Sequence, residues 1–276
     1  MPLALQAALL GVVQGLTEFL PVSSSAHLIL ARVFFGFDKE RFGLPFDVAC
    51  HVGTTLAVVV FFRDDLLRMA TSLRDALTTR SHDAAKSPGV RLFWMMVVGT
   101  VPAVVIGVIF GDLIEESLRT PQVAAVTLAL GAVAFIVAER VGSQNRDADS
   151  VTLVEAFWIG CAQALALVPG VSRSGATITL ALLLGLGRLS AARFVFVLGI
   201  PAILGAAVRE APALVGSSPG VAVPGLVPIG VVTSAIVGYL AIRFFLQYVG
   251  RYSLQAFAYY RLALAASVVV WMVAGN

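Results

Sequence analysis

Residues 3–35 read LALQAALLGVVQGLTEFLPVSSSAHLILARVFF. This stretch holds two apolar runs, Leu3–Leu20 and Ser23–Phe35, which are separated by Pro21. A helix needs about 20 apolar residues to cross the core of a bilayer. The second run has only about 13 residues and, at about 1.5 Å per residue, is too short to reach the far side. We therefore expect a re-entrant helical hairpin whose break lies at membrane depth.

A second stretch of the chain has the same design. Val151–Val168 is followed by Pro169 and Gly170, and then by another short apolar run, Ser172–Gly185. Irregular backbone at membrane depth is tolerated only where protein or a water-filled cavity surrounds it. Two broken hairpins therefore predict one polar cavity to which both breaks contribute.

The two stretches are also related in sequence. Four positions recur at a constant offset of 149 residues, and two more recur at an offset of 148 residues. The matching pairs are Ala7 and Ala156, Gly11 and Gly160, Gln14 and Gln163, Leu16 and Leu165, then Pro21 and Pro169, and Ser24 and Ser172. Three long apolar segments follow each hairpin. Because three is an odd number, the second half is expected to enter the membrane inverted, as in many transporters.

Those six long segments are each able to cross a bilayer as a helix. They lie at about 46–62, 91–110, 121–138, 190–208, 225–246 and 254–274. The sequence thus predicts an all-α polytopic membrane protein made of two inverted repeats, each a re-entrant helical hairpin plus three transmembrane helices. We expect one integral membrane domain over 1–276, with repeat one at about 1–138 and repeat two at about 151–276.

Composition supports a membrane protein and excludes two other classes. Hydrophobic residues make up 59% of the chain and charged residues 13%, whereas soluble globular proteins carry about 25% charged residues. Such a chain lacks the polar surface of a soluble enzyme or of a nucleic-acid-binding protein. Cys50 and Cys161 each lie inside an apolar segment, so we expect neither a disulfide framework nor a metal cluster from them.

The basic residues predict the orientation of the chain. If each hairpin returns to its own side, twelve basic residues share one face: Arg63, Arg68, Arg74, Arg80, Lys86, Arg91, Arg140, Arg146, Arg188, Arg193, Arg243 and Arg251. The other face carries five: Arg32, Lys39, Arg41, Arg119 and Arg209. Because basic residues accumulate in cytoplasmic loops, we expect both termini and the cavity opening on the outer side. Arg63–Thr79 has the pattern of an amphipathic helix on the inner surface.

The first break carries a cluster of polar side chains: Gln14, Glu18, Ser23, Ser24, Ser25 and His27. Gln14 and Glu18 are four residues apart and share one helix face, while Ser24 and His27 share the next helix. The serines are able to act simply as helix N-caps, and His27 as a hydrogen-bonded core histidine. A carboxylate and an imidazole this close together inside a membrane favour a functional site. For His51, in the next segment, a core role and a site role remain equally open.

The second break contains an arginine in an apolar environment. Residues 169–177 read PGVSRSGAT. Arg173 needs an anionic partner at this depth, and an internal salt bridge, for example to Glu18, is the simplest one. Hydroxyl groups, glycines that let the backbone approach, free N–H groups at a helix start and a guanidinium together describe a phosphate site. The residues of this predicted site are Gly170, Ser172, Arg173, Ser174 and Thr177.

At these two clusters the chain resembles the undecaprenyl-diphosphate phosphatases of the bacterial bacitracin-resistance family. One shared motif is QGLTEFLPVSSSAH at 14–27, and the other is Pro-Gly-x-Ser-Arg-Ser-x-x-Thr at 169–177. The length and hydropathy profile match over essentially the full chain. Two departures stand out: the acidic motif is Gln14 and Glu18, the variant with one carboxylate, and the family's Thr-Gly-His is Ser25-Ala26-His27.

The resemblance implies an activity, a fold and a location. A family member removes the terminal phosphate of undecaprenyl diphosphate, a C55 lipid, and so recycles the carrier for peptidoglycan and confers bacitracin resistance. It implies a need for a divalent cation, Mg²⁺ or Ca²⁺, and a multi-pass protein of the bacterial inner membrane whose active site faces outward. The family fold is two inverted repeats whose hairpins meet at the site, and a homodimer is compatible with it.

The chemistry of the two clusters fits such a reaction. Glu18 is expected to hold the cation or orient a base, with Gln14 supporting it. Ser24 is a candidate nucleophile with His27 as its base. His27 itself, or a water that His27 activates, are the alternatives. Arg173 is expected to clamp the diphosphate together with the hydroxyl groups of the second break.

Two other functions are compatible with parts of this pattern. A transporter or flippase of a phosphorylated polyprenyl lipid would share the inverted repeats and broken helices, but it would not need a nucleophile. The acid-phosphatase-like lipid phosphatases have a Ser-Arg followed by a histidine. In this chain no histidine follows Ser172-Arg173, which excludes that second class.

Overall fold

The computed structural model describes residues 1–38, 41–79, 82–215 and 225–274, and their regular structure is helical. Lys39 and Arg80, two of the basic residues used to predict orientation, lie outside the described residues. The helices are α1 (Leu3–Phe19), α2 (Ser24–Phe35), α3 (Leu44–Phe61), α4 (Arg63–Thr79), α5 (His82–Ala85), α6 (Pro88–Leu118), α7 (Pro121–Val141), α8 (Leu153–Leu165), α9 (Arg173–Leu183), α10 (Arg188–Val215), α11 (Leu226–Val249) and α12 (Gln255–Val273).

Six of the described helices are long and apolar enough to cross a membrane, namely α3, α6, α7, α10, α11 and α12. They match the six predicted segments, although α6 continues past the predicted end near residue 110 to Leu118. Large apolar side chains on these helices face outward: Val108 is 77% exposed and Val270 is 68% exposed. Water would disfavour that surface, whereas lipid accommodates it. The chain is therefore a multi-pass membrane protein.

The four predicted short helices are also present, as the pairs α1 with α2 and α8 with α9. They contain 17, 12, 13 and 11 residues, so each is shorter than a hydrocarbon core of about 30 Å. The end of α1 follows from the sequence. Leu20 precedes Pro21, and a proline forces the residue before it out of the helical region. Leu20 accordingly has extended backbone angles of φ −70° and ψ 139°.

The two breaks have the same local geometry. Ser23 and Ser172 are the N-caps of α2 and α9, with positive φ angles of 73° and 69°. Each side chain accepts a hydrogen bond from the backbone N–H three residues later. The predicted match of Ser24 with Ser172 is therefore wrong by one residue. Ser23 corresponds to Ser172 at the constant offset of 149 residues, and Ser24 corresponds to Arg173.

A buried ion cluster fixes one end of the first hairpin. Asp47 in α3 is 2% exposed and pairs with Arg32 of α2, which is 6% exposed. Arg119, which follows α6, donates a hydrogen bond of 2.8 Å to the other carboxylate oxygen of Asp47. One carboxylate thus connects α2, α3 and the start of the α6–α7 connection.

Ion pairs of the same kind lie near the start of the second hairpin. Arg146 contacts Glu155 of α8 at 2.7 Å, and Arg188 contacts Glu139 at 2.8 Å. Glu155 also forms a capping box with Thr152 at the start of α8. The hydrogen bonds from Arg146 lower the pKa of the Glu155 carboxyl to about 2. This hairpin is therefore anchored by charge at its own base.

The amphipathic segment forms a helix with the predicted bounds, Arg63–Thr79. None of the side chains of α4 is buried, and its first turn carries Asp64 and Asp65. The helix is thus confirmed, while its position on the inner membrane surface stays a prediction.

We predict that Asp47→Asn destabilises the protein markedly, because it leaves two arginines around a neutral amide in a buried position. Loss of one partner from a buried ion pair costs about 3–5 kcal/mol. The thermal unfolding midpoint of purified protein in detergent measures the effect. Asp75→Asn in the exposed pair with Arg74 is the matched control, with little expected change. Equal midpoints for the two variants would show that the cluster does not hold the hairpin.

Candidate active site

The carboxylate of Glu18 is the centre of the site. Glu18 lies in the last turn of α1 and is 5% exposed. Its Oε1 accepts a hydrogen bond of 2.6 Å from Nη2 of Arg173. Its Oε2 accepts bonds of 2.8 Å from Ser24 Oγ and 2.9 Å from Gln14 Nε2, and it lies 3.3 Å from His51 Nε2. One carboxylate therefore brings together residues from α1, α2, α3 and α9.

Ser24 and Arg173 are the first residues of their helices. The first N–H groups of a helix have no partner within it, and the helix dipole makes this end positive. Both breaks therefore direct a positive helix end toward Glu18. Such ends bind phosphate groups readily.

A cavity of about 380 Å³ adjoins these residues. One part of its wall is polar and includes Glu18, Ser24, His51, Gln163 and Arg173. Another part of the wall comes from α6 and α10 and is mainly apolar, with Ala103, Val104, Gly107, Val108, Ala202, Ile203, Gly205 and Ala206 beside Arg209. Both predicted breaks contribute to this one cavity, as expected, but its wall is mainly apolar rather than polar.

Charges at the polar end favour an anion. Nδ1 of His51 lies 2.8 Å from the carbonyl oxygen of Asp47, and Nε2 of His51 faces Glu18. Both ring nitrogens therefore face oxygen acceptors, an arrangement that an imidazolium satisfies with its two N–H groups. With His51 in that form, two cationic side chains, His51 and Arg173, surround one carboxylate. The excess positive charge suits a phosphate.

Arg173 forms the salt bridge to Glu18 that was expected as its simplest role, and it also lines the cavity. Its second terminal nitrogen, Nη1, is buried and has no hydrogen-bond partner among the described residues. Gly199 of α10 makes room for this guanidinium, because a Cβ at Gly199 would lie 1.7 Å from Nη1. Arg173 therefore keeps unused hydrogen-bonding capacity beside Glu18.

His27 lies outside this cluster. Its Nδ1 is 2.7 Å from the carbonyl oxygen of Ser23, and its Nε2 is 2.7 Å from the hydroxyl of Tyr260. A neutral histidine satisfies both contacts by donating from Nδ1 and accepting at Nε2. Both ring nitrogens of the partly buried His27 are therefore engaged away from Glu18, whereas Ser24 donates to it.

The other residues of the predicted phosphate site chiefly support the breaks. Ser172 caps α9, and Thr177 donates to the carbonyl oxygen of Arg173 at 2.7 Å. Ser174 donates to the carbonyl oxygens of Glu18 and Leu20, at 3.3 and 3.2 Å, which ties the second break to the first. The remaining member, Gly170, has a φ of +89° and packs against Thr127. Of these residues, Ser172 also lines the cavity.

A divalent cation fits the site only in combination with a ligand. Among the described residues no group of three or more His, Cys, Asp and Glu side chains is arranged to hold a metal. However, Oε1 of Gln14 is buried beside Glu18 and has no hydrogen-bond partner among the described residues. A carboxylate and an amide oxygen are hard donors, and Mg²⁺ is commonly bound by one or two carboxylates plus phosphate oxygens and water. Gln14 and Glu18 are therefore suited to such an ion.

Comparison with known proteins identifies the family. A sequence profile of the family described as Bacitracin resistance protein BacA matches residues 7–267. The chain belongs to the BacA family. An undecaprenyl-diphosphatase of Rubrobacter xylanophilus is 54% identical over 264 residues, which cover 96% of each chain. The undecaprenyl-diphosphatase of Moorella thermoacetica is 44% identical over 265 residues, again 96% of each chain. That of Corynebacterium glutamicum is 39% identical over 272 residues, 98% of this chain and 91% of the relative.

Three polar residues of this BacA family member were missed or left open by sequence reasoning. His51 was left between a core and a site role. Gln163 was used only to align the repeats, but it is 3% exposed, lines the cavity and has an Oε1 without a hydrogen-bond partner among the described residues. Arg261 was not considered, yet it and Arg173 are the two basic residues that belong to neither predicted face. The cost of a charge at membrane depth, which identified Arg173, applies equally to Arg261.

Proposed function

We propose that this BacA family member hydrolyses undecaprenyl diphosphate to undecaprenyl phosphate and inorganic phosphate. The reaction recycles the lipid carrier for peptidoglycan synthesis and removes the diphosphate lipid that bacitracin targets. The observation that carries the proposal is a cavity with a polar end at Glu18, Ser24 and Arg173 and a mainly apolar wall between α6 and α10. A lipid diphosphate has the same division into a charged head and an apolar chain.

The diphosphate head binds at the polar end of the cavity. Arg173 turns from Glu18 toward the phosphate oxygens, for which its guanidinium offers a planar set of donors. The free N–H groups at the starts of α2 and α9 add further positive potential. The first isoprene units then lie along the apolar wall that includes Val104, Val108 and Ile203. Binding therefore aligns the terminal phosphate with Ser24.

In the first step, Ser24 Oγ attacks the terminal phosphorus and its proton passes to Oε2 of Glu18, to which it donates at 2.8 Å. A Ser24 O–P bond forms and the phosphoanhydride P–O bond breaks. Undecaprenyl phosphate leaves with the bonding electrons. Because the second pKa of a phosphate monoester is about 6, the leaving group needs no proton at neutral pH. The geometry supports Glu18, rather than His27, as the proton acceptor.

In the second step, water attacks the phosphoserine, the Ser24 O–P bond breaks, and inorganic phosphate is released. Glu18 returns its proton to Ser24 Oγ, and His51 and Arg173 stabilise the carboxylate that re-forms. A divalent cation held by Glu18 and Gln14 would neutralise charge on the phosphate oxygens. The protein's own residues meanwhile bind the head group, orient Ser24 and carry the proton.

The transporter alternative has less support. Broken helices and a central cavity suit a flippase of a phosphorylated lipid equally well. A transporter, however, gains nothing from a serine hydroxyl that donates to a carboxylate at the start of a helix. Phosphate release in detergent, where two compartments no longer exist, separates the two functions.

The proposal includes the architecture of one membrane domain with inverted repeats, about 1–138 and 151–276, each starting with a re-entrant hairpin. Its support is the matching geometry of Ser23 and Ser172 and the matching pattern of packing. Helix α1 packs against α11, and α8 packs against α6, so the first helix of each hairpin rests on a long helix of the opposite half. An inverted repeat produces this exchange.

The proposal also includes an outward-facing site in the bacterial inner membrane, with both termini outside. The excess of basic residues at the opposite ends of the helices supports this orientation. The cavity wall supports it too, because Gly107 and Arg209 belong to the parts of α6 and α10 that this orientation directs outward.

We predict that purified protein in detergent releases inorganic phosphate from undecaprenyl diphosphate and that a chelator abolishes the release. Glu18→Gln keeps the side-chain shape but removes the proton acceptor and the anionic donor, so activity should fall at least about 10²-fold. A phosphate assay measures both effects. Wild-type protein that binds the lipid without releasing phosphate would favour the transporter, and full activity in chelator would exclude a required cation.

We predict that Ser24 becomes phosphorylated during turnover. Protein quenched in acid after incubation with substrate labelled in its terminal phosphate should carry label on Ser24, because phosphoserine is stable in acid. Phosphohistidine is lost in acid, so label that survives only in alkali would identify a histidine, His27 or His51, as the nucleophile. Ser24→Ala should lose activity at least about 10³-fold. Its failure to lose activity would contradict this mechanism.

We predict that Arg173→Lys folds normally but loses at least about 10²-fold in phosphate release, because Lys keeps the charge without the planar donors. Arg251→Lys, an exposed position, is the matched control. Near-normal turnover in Arg173→Lys would mean that Arg173 is only a partner for Glu18.

Gly199→Ala tests the same clamp while Arg173 stays in place. The added Cβ would lie 1.7 Å from Nη1 of Arg173, so the guanidinium has to move. Activity should fall at least about tenfold, whereas Gly225→Ala, with nothing within 4 Å of its Cβ, should behave as wild type.

We predict that cysteines at Leu77 and Ser117 report opposite sides of the membrane. In a Cys50→Ala, Cys161→Ala background, Ser117→Cys should react with an impermeant thiol reagent in intact spheroplasts. Leu77→Cys in α4 should react only after the membrane is permeabilised, although Leu77 is 77% exposed. The reverse labelling pattern would overturn the proposed orientation.

A further inference from the structure

Arg261 is a buried cation outside the cavity wall. It lies in α12 and is 1% exposed. The salt bridges of the described residues do not include Arg261, and its hydrogen bonds go to backbone carbonyl oxygens. These are Leu128 at 3.3 Å, Pro21 at 3.4 Å, Thr127 at 3.3 Å, Gly170 at 3.2 Å and Val171 at 3.1 Å. The guanidinium therefore contacts α7 and both helix breaks at once.

The breaks explain why these carbonyl groups need a donor. Pro21 follows the end of α1, and Gly170 and Val171 precede α9, so none of the three lies within a helix. A buried carbonyl group without a hydrogen bond is costly, and lipid supplies no donor. Arginine has five N–H groups in one plane and no acceptor, so a single residue serves carbonyl groups in several directions.

Two glycines show that the surroundings are shaped for this guanidinium. A Cβ at Gly131 of α7 would lie 2.0 Å from Nη2 of Arg261, and a Cβ at Gly175 of α9 would lie 2.7 Å from Nη1. Arg261 thus fills a space that the backbones of α7 and α9 leave open. It also lies next to the start of α9, where Arg173 begins the helix.

We propose that Arg261 is a positioning residue that donates hydrogen bonds to both breaks and so holds Ser24 opposite Arg173. It touches neither cavity nor substrate and acts through the carbonyl groups of Pro21, Gly170 and Val171. Its uncompensated charge also adds positive potential at the starts of α2 and α9, where the phosphate binds. This inference rests on the proposed phosphatase function, because it concerns the geometry of that site.

The test is the inhibition constant of the product, inorganic phosphate, measured with purified protein in detergent. This constant does not depend on how much of the protein is active, so partial misfolding leaves it unchanged.

Arg261→Lys keeps the charge, but its three donors share one atom and fail to span both breaks. We expect the inhibition constant to rise at least about tenfold, together with a lower kcat. Arg243→Lys, at an exposed position of α11, is the matched control.

Gly131→Ala provides a second variant if Arg261→Lys does not fold. It leaves Arg261 in the chain and displaces its guanidinium by one methyl group, so the same rise is expected. Gly250→Ala, whose Cβ would meet its neighbours only at 3.5 Å or more, is its control. Inhibition constants equal to wild type in every variant that folds would contradict the positioning role of Arg261. A wild-type protein that releases no phosphate would instead contradict the proposed function.

Discussion

A single buried carboxylate, Glu18, determines how the two halves of this protein meet. A charge at this depth is costly unless it is paired and fully hydrogen-bonded. Its partners come from separate parts of the chain: Gln14 and Ser24 from the first hairpin, His51 from α3 and Arg173 from the second hairpin. The first hairpin therefore satisfies its own acid only when the second one is docked against it. The contacts that build the site are therefore also contacts between the two halves of the chain.

The breaks impose a second constraint on the backbone. A helix satisfies its own carbonyl groups, whereas a chain that turns back inside a membrane leaves some of them without partners. Side chains supply the missing donors here, with Ser174 reaching Glu18 and Leu20, and Arg261 reaching Pro21, Gly170 and Val171. The bonds of Ser174 run from the second hairpin to the first, and those of Arg261 join α12 to both. The polar groups that build the site thus also hold its frame.

Sequence patterns predicted most of the helices because a membrane restricts the length and polarity of the segments that lie in it. Segment length separated the six long helices from α2 and α9, and the prolines at the breaks, Pro21 and Pro169, marked α1 and α8 as the first helices of broken pairs. The approach of Glu18, Ser24 and Arg173 followed from the expectation that both breaks share one cavity. What the sequence did not reveal were contacts between distant segments. His51 joins Glu18 through the packing of α3, and His27 turns to Tyr260 through the packing of α12. Such choices depend on tertiary geometry, which periodicity does not encode.

The corrected alignment of the two breaks explains why the two sides of the site carry different side chains. Ser23 and Ser172 occupy matching N-cap positions, so Ser24 and Arg173 are counterparts. Serine at both positions would leave Glu18 without its guanidinium partner, and arginine at both would leave it without the Ser24 hydroxyl donor. The difference at this one pair of positions places a hydroxyl donor at one oxygen of Glu18 and a guanidinium at the other. The two helix starts, similar in their capping, therefore give the site two chemically different sides, a neutral one at α2 and a cationic one at α9.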